Sequence, residues 1–220
     1  MGQLIDQSVK DFSDLLASSK PAPGGGSAAA LSGALAASLA MMASELTFGK
    51  KSYESLEDEV KRRFLLEFEE LKRLRIALLG LVDKDTEAFS LYMDALRMPA
   101  ETDAERARRA DYMEQACIAA LEVPLETAEN CVRVLRNQHT VAEFGNRNAA
   151  SDIGVGALLA FAGLEGAILN VKINLPGISD EAVKAEALKK TEGYQREAEE
   201  LKAGINLILY NTAGRTPSGS

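Results

Sequence analysis

An all-α, oligomeric multi-helix bundle with two nearly apolar central helices is the fold this sequence predicts, on three observations. Aromatic residues make up only 5% of the 220 and Trp is absent, so the core has to be built mainly from Ala, Leu, Val and Ile, a mixture suited to close-packed helices. Two stretches, residues 28–46 and 157–171, are almost free of charge, which places them inside a bundle or at an interface between subunits. No segment shows convincing strand alternation and no linker or internal repeat divides the chain, so residues 1–214 read as one domain and 215–220 as a polar tail.

Leu4, Ile5, Val9, Phe12, Leu15 and Leu16 recur at helical spacing and predict an amphipathic opening helix that stops at Lys20-Pro21. The breaker run Pro21-Ala22-Pro23-Gly24-Gly25-Gly26 follows, with Ser27 as the expected cap of the first apolar helix. That helix is long enough for a membrane span, but its Ala, Ser and Gly content favours the interior of a bundle, and no membrane association is expected. Ser55 with Asp58 resembles a capping box for a long charged helix to about Leu96, bending near Gly80. Thr102 with Glu105 opens the next helix, to about Asn137, which Pro124 should kink. The segment 145–156, dense in Asn, Ser, Asp and Gly, reads as a loop before the second apolar helix, which Pro176-Gly177 closes. Ser179, Asp180 and Glu181 open a last helix to about Thr212, with Gly214 as its cap.

Charge excludes some functions. With 33 acidic and 25 basic residues the net charge is −8, which argues against nucleic acid as a partner. Cys117 and Cys131 form no CxxC pair and nothing at the N-terminus reads as a secretory signal, so two buried thiols in a reducing cytoplasm are expected. A single histidine, His139, excludes a multi-histidine metal site within one chain and is expected at the surface near a helix end.

Two motifs fail on inspection. Gly49-Lys50 lacks the upstream glycine and preceding strand of a phosphate loop, and Gly154-Val155-Gly156 lacks the third glycine of a dinucleotide fingerprint. Three other groups stay open between architecture and chemistry. Gly24, Gly25, Gly26 and Ser27 are either a capped hinge or bare backbone N–H groups offered to a ligand. Asn146, Asn148, Ser151 and Asp152 either cap a helix or orient a flat heterocycle with several ring nitrogens. Asp83, Asp85 and Glu87 are either solvated carboxylates or acid/base groups, Asp83 and Glu87 sharing a face that Asp85 does not. Lys50 and Lys51 are either solvated surface residues or, in an acidic chain, hold an acidic substrate tail.

Taken together, Pro23-Gly24-Gly25-Gly26-Ser27-Ala28-Ala29-Ala30, Leu46-Thr47-Phe48-Gly49-Lys50-Lys51, Asp83 with Asp85, and Gly145-Asn146-Arg147-Asn148-Ala149-Ala150-Ser151-Asp152 resemble the cyclodeaminase/cyclohydrolase family. This is the C-terminal domain of formiminotransferase-cyclodeaminase, also found as stand-alone methenyltetrahydrofolate cyclohydrolases. Glu122-Val123-Pro124-Leu125 and Asn170-Val171-Lys172-Ile173-Asn174 extend the resemblance over nearly the whole chain.

The resemblance implies a dimer or higher oligomer and a tetrahydrofolate derivative as substrate, bound in a cleft between helices. It implies formiminotetrahydrofolate cyclodeaminase activity first, methenyltetrahydrofolate cyclohydrolase second, and a non-catalytic folate-binding oligomer as the alternative outside enzymology. Cyclodeamination would draw its substrate from a separate formiminotransferase. The nucleophile in cyclodeamination is N10 of the folate itself, so the protein has only to pose the substrate and move protons, with no metal. Asp152, Asp85 and, less directly, Asp83 are then the expected acid/base or cation-stabilising groups. Gly24, Gly25, Gly26, Ser27, Asn146, Asn148, Ser151 and Asn170 would hold the pterin, and Lys50 and Lys51 the glutamate tail.

Overall fold

The computed structural model describes residues 3–213, and every regular element among them is helical. After a 3₁₀ turn at Leu4–Asp6 come α1 (Val9–Leu16), α2 (Gly25–Glu45), the single turn α3 (Lys51–Glu54), α4 (Asp58–Arg97) and α5 (Asp103–Phe144). A 3₁₀ turn at Arg147–Ala149 leads into α6 (Ala150–Asn174), another at Leu175–Gly177 ends it, and α7 (Glu181–Ala213) follows. The Gly214 cap and the tail at 215–220 lie outside the described residues.

The two apolar helices, α2 and α6, form the most extensive pairing. They run antiparallel: Asn146, just before α6, bonds the Leu46 carbonyl at the end of α2, while Gly25 at the start of α2 lies beside Asn170 near the end of α6. Close approach depends on missing side chains. A Cβ on Gly163 would stand 2.8 Å from the Ala29 carbonyl oxygen, so a larger residue would push the helices apart. α4 flanks α2, α7 flanks α6, and α5 packs against all four. Leu71, Leu78 and Leu81 of α4, Leu135 of α5, Leu164 of α6 and Ile205 of α7 are fully buried in the resulting core. Each such side chain stabilises the fold by about 1.5–3 kcal/mol.

Several helix ends differ from expectation for physical reasons. α2 begins at Gly25 with Gly24 as its cap, because Ser27 sits inside the helix and uses its polar groups on α4. Glu57, not Ser55, precedes α4, and the Ser55 hydroxyl donates to the Ser52 carbonyl instead. The Thr102–Glu105 capping box forms in both directions. α5 runs past Pro124 to Phe144, so His139 is well inside the helix and half-buried against α7 near Gly204. α6 begins seven residues earlier than the apolar run because Gly156 is a packing glycine, not a breaker: Gln138 lies against it and donates to the Ile153 carbonyl at 3.0 Å. Before α7 the cap is Asp180, which accepts from Ala182 N at 2.8 Å. Cys117 and Cys131 are both free and buried.

α2 and the stretch Arg147–Gly177 have the length and hydropathy of a membrane span, with 56% and 44% of the respective windows buried inside the bundle. One face of each central helix is therefore left uncovered.

Candidate active site

The first turn of α2 has backbone N–H groups with no helical partner. Asp85, reaching across from α4, supplies one: its Oδ2 accepts from Ser27 N at 2.8 Å and lies 2.9 Å from Ser27 Oγ. The same hydroxyl lies 2.9 Å from the Val82 carbonyl. Its single hydrogen serves the carboxylate when Asp85 is ionised and the carbonyl when Asp85 is protonated, so both states are accommodated. A Cβ on Gly26 would fall 1.9 Å from Asp85 Oδ1, so only glycine lets the carboxylate lie against the main chain here. Burial pushes the Asp85 pKa above the ordinary carboxylate range, outweighing the two Ser27 hydrogen bonds that pull it down.

This carboxylate opens into a cavity of about 600 Å³ between the start of α2, α4, α5 and the end of α6, within the size range of small-molecule sites. Asp85, Phe89 and Tyr92 line it from one face of α4, at i, i+4 and i+7, and among the described residues Asp85 is its only charged lining residue. Gly24, Gly25 and Gly26 form one rim.

Asn170 and Asn174 contribute from α6. Asn174 is held by a consequence of Pro124. Proline has no N–H, so the Ala120 carbonyl one turn earlier loses its helical donor, and Asn174 Nδ2 donates to it at 2.6 Å. Asn170 Nδ2 donates to Gly166 O at 2.8 Å. Each amide group is thus anchored through its nitrogen, and each carbonyl oxygen remains as an acceptor for a ligand donor. Cys117 packs against Gly177 at the cavity wall, and burial, with Glu114 nearby, raises its thiol pKa. Among the described residues no group of three or more His, Cys, Asp or Glu is gathered as a metal site.

Of the residues singled out from the sequence, Gly24, Gly25, Gly26, Ser27, Asp85 and Asn170 meet here. Asp83 does not line the cavity; it accepts from Leu4 N at 2.5 Å and fastens the N-terminal turn to α4. Lys50, Lys51, Asn146, Asn148, Ser151 and Asp152 cluster at the other end of the α2–α6 pair, about 30 Å away at 1.5 Å per residue along α2. At that end Asn146 is engaged by the backbone: it donates to Leu46 O at 3.0 Å, accepts from Asn148 N at 3.0 Å, and its own N–H bonds Thr47. Lys50, Lys51, Asn148 and Ser151 are exposed, and neither lysine ammonium has a partner among the described residues. The expectation that the glycine turn and Asp152 share one hollow is therefore not met within a single chain.

Phe89 and Tyr92 were not singled out from the sequence, Cys117 was read there only as a buried thiol, and Asn174 only as part of the resemblance. Two signals pointed to them: the i+4 and i+7 spacing from Asp85, and a mid-helix proline that frees a carbonyl for a side-chain donor.

Residues 8–193 match the family described as formiminotransferase-cyclodeaminase. A methenyltetrahydrofolate cyclohydrolase of Methylorubrum extorquens is 42% identical over 94% of this chain and 96% of its own length. The formimidoyltransferase-cyclodeaminase of Gallus gallus is 35% identical over 94% of this chain, which spans only 37% of that larger protein. The crystal structure of a formiminotetrahydrofolate cyclodeaminase from Thermotoga maritima superposes with a TM-score of 0.80 at 30% identity, over 94% of this chain and 98% of that one.

Proposed function

The chain belongs to the formiminotransferase-cyclodeaminase family, and on that premise we propose that it is an enzyme acting on the one-carbon bridge between N5 and N10 of tetrahydrofolate. The reaction we place first is hydrolysis of 5,10-methenyltetrahydrofolate to 10-formyltetrahydrofolate, because the 42% identical relative that matches end to end carries that activity in its name. Cyclodeamination of 5-formiminotetrahydrofolate is the second reading, favoured by the Gallus gallus relative and the Thermotoga maritima structure. We also propose a cytoplasmic location, in keeping with two buried free thiols.

The observation that carries this reading is a lone carboxyl of raised pKa in an otherwise uncharged cavity. The methenyl bridge is a cation, and a single preorganised carboxylate stabilises it electrostatically. Water adds to the bridging carbon and gives up a proton to Asp85. The resulting carbinol opens as its C–N5 bond breaks, N5 taking the proton from Asp85 while the hydroxyl proton leaves to solvent. The products are the N10-formyl group and one proton. In cyclodeamination, starting from the protonated formimino group, the same carboxyl would take the N10 proton as N10 attacks the formimino carbon, then give it to the amino nitrogen, which departs as ammonia. The free oxygens of Asn170 and Asn174 suit the N–H donors of a pterin, and Phe89 and Tyr92 its flat face.

Offering the purified protein each substrate separately tests the proposal. Rapid loss of the methenyl chromophore without ammonia release supports hydrolysis; ammonia release with growth of the chromophore supports cyclodeamination. Tight binding with neither change would leave a folate-binding protein and overturn the enzymatic reading.

A further inference from the structure

We infer that Ser27 is a positioning residue for Asp85: its N–H and hydroxyl hold Oδ2 and leave Oδ1 as the oxygen that takes and returns the substrate's proton. The catalytic part of this inference rests on the folate reading above; the control of the carboxyl by Ser27 does not.

Ser27 reaches a ligand only through Asp85. It is fully buried and does not line the cavity, whereas Gly24, Gly25, Gly26 and Asp85 do. The expectation that Ser27 holds the pterin gives way to a different task, because the fold turns its side chain toward α4. There Ser27 N donates to Asp85 Oδ2 at 2.8 Å, and the hydroxyl has two acceptors at 2.9 Å, that same oxygen and the Val82 carbonyl. Thr86 Oγ1 stands further off, at 3.5 Å.

The two oxygens of Asp85 are thereby unequal. Oδ2 faces a backbone N–H that cannot turn away, while Oδ1 lies over Gly26 and has no donor among the described residues. The hydroxyl bond is stronger to an ionised oxygen than to a neutral one, so Ser27 favours the carboxylate and opposes the burial that keeps the proton on. No other group competes for this control. The remaining titratable residues that line the cavity are Tyr92 of α4 and Cys117 of α5, and a phenol and a thiol hold their protons through the range in which a carboxyl titrates. α2 carries no charge before Glu45, α6 lines the cavity with Asn170, Ile173 and Asn174, and Lys84 beside Asp85 faces Glu126 of α5 at 3.9 Å.

The experiment is Ser27→Ala, which keeps the N–H bond to Asp85 and removes the hydroxyl bond. Alanine suits an α-helix and the Val82 carbonyl keeps its own helical donor, so circular dichroism should match wild type. In protein with ¹³C-labelled aspartate carboxyls, the Asp85 resonance is the one missing from Asp85→Asn. It should titrate about one pH unit higher in Ser27→Ala than in wild type, the size expected of one hydrogen bond to an ionised group. The acidic limb of kcat/KM for methenyltetrahydrofolate should move up by the same amount.

The resonance is read without substrate, which separates this inference from the folate reading. An unmoved Asp85 titration in Ser27→Ala overturns the inference. So does loss of helicity in that variant, or a fall in rate that is uniform across pH with the limb in place, since either makes Ser27 a pin between α2 and α4 and nothing more. A raised titration in a protein that turns over neither folate contradicts only the functional reading.

Discussion

The two ends of the α2–α6 pair use similar residues for different purposes. At the cavity end, polar groups are held but left with something to offer: Asp85 keeps a free oxygen, and Asn170 and Asn174 are tethered through nitrogen with their carbonyl oxygens spare. At the other end Asn146 has its nitrogen and oxygen both bonded to the backbone, while Lys50 and Lys51 extend into solvent. Amide residues beside an apolar helix do not by themselves mark a binding site; what counts is which of their atoms the fold has already used.

The largest effect that would break this contrast is at Asp85. Asp85→Asn should lower turnover by about 10²–10⁴-fold, the usual contribution of a positioned acid/base group. Stability should move the other way. Because burial raises the Asp85 pKa, the folded chain holds this proton more tightly than the unfolded chain. The associated stabilisation is complete below the unfolded pKa and is lost as pH rises through the folded one. Thermal melts from acidic to neutral pH should therefore show the wild type losing stability that the Asn variant retains, with a melting temperature at neutral pH no lower than wild type.

Gly26→Ala comes next. The added methyl occupies the position of Asp85 Oδ1, and displacing a reacting group by about 1 Å costs on the order of 10²-fold in rate. Steady-state kinetics with circular dichroism should show a fall in kcat at unchanged helicity.

Pro124→Ala sharpens the comparison at Asn174. Alanine restores the N–H that competes for the Ala120 carbonyl, so the helix should gain stability while KM rises about tenfold, the equivalent of one hydrogen bond to a polar group of the substrate. The smallest effect is expected at the far end. Replacing Lys50 and Lys51 by Ala, about 30 Å from the cavity along α2, should leave KM within about twofold of wild type at low and high salt alike.

Much of the fold was legible because both central helices are nearly uncharged and the α5 capping box is encoded in four consecutive residues. Helix starts were less legible where the satisfying group comes from elsewhere: no local pattern tells that Asp85 will bond Ser27 from 58 positions away and let Gly25 and Gly26 become helical. Gly154 and Gly156 read as breakers because sequence alone does not separate a glycine that ends a helix from one that admits a neighbour such as Gln138. In the site, motif reading found the glycine turn, Asp85 and Asn170, but it grouped them with Asp152 and the lysines, since sequence motifs carry no distances. Tyr92 and Asn174 carry only indirect sequence signals, and their place at the cavity emerges once α4, α5 and α6 are packed together.

The most direct test of the catalytic role of Asp85 is the rate of methenyltetrahydrofolate chromophore loss, followed across pH with wild-type and Asp85→Asn protein. Wild type should accelerate the decay and lose activity on acidification at a pH above the usual carboxylate range, while the Asn variant stays near the uncatalysed rate. Equal rates for the two proteins, with the same pH profile, would contradict the assignment.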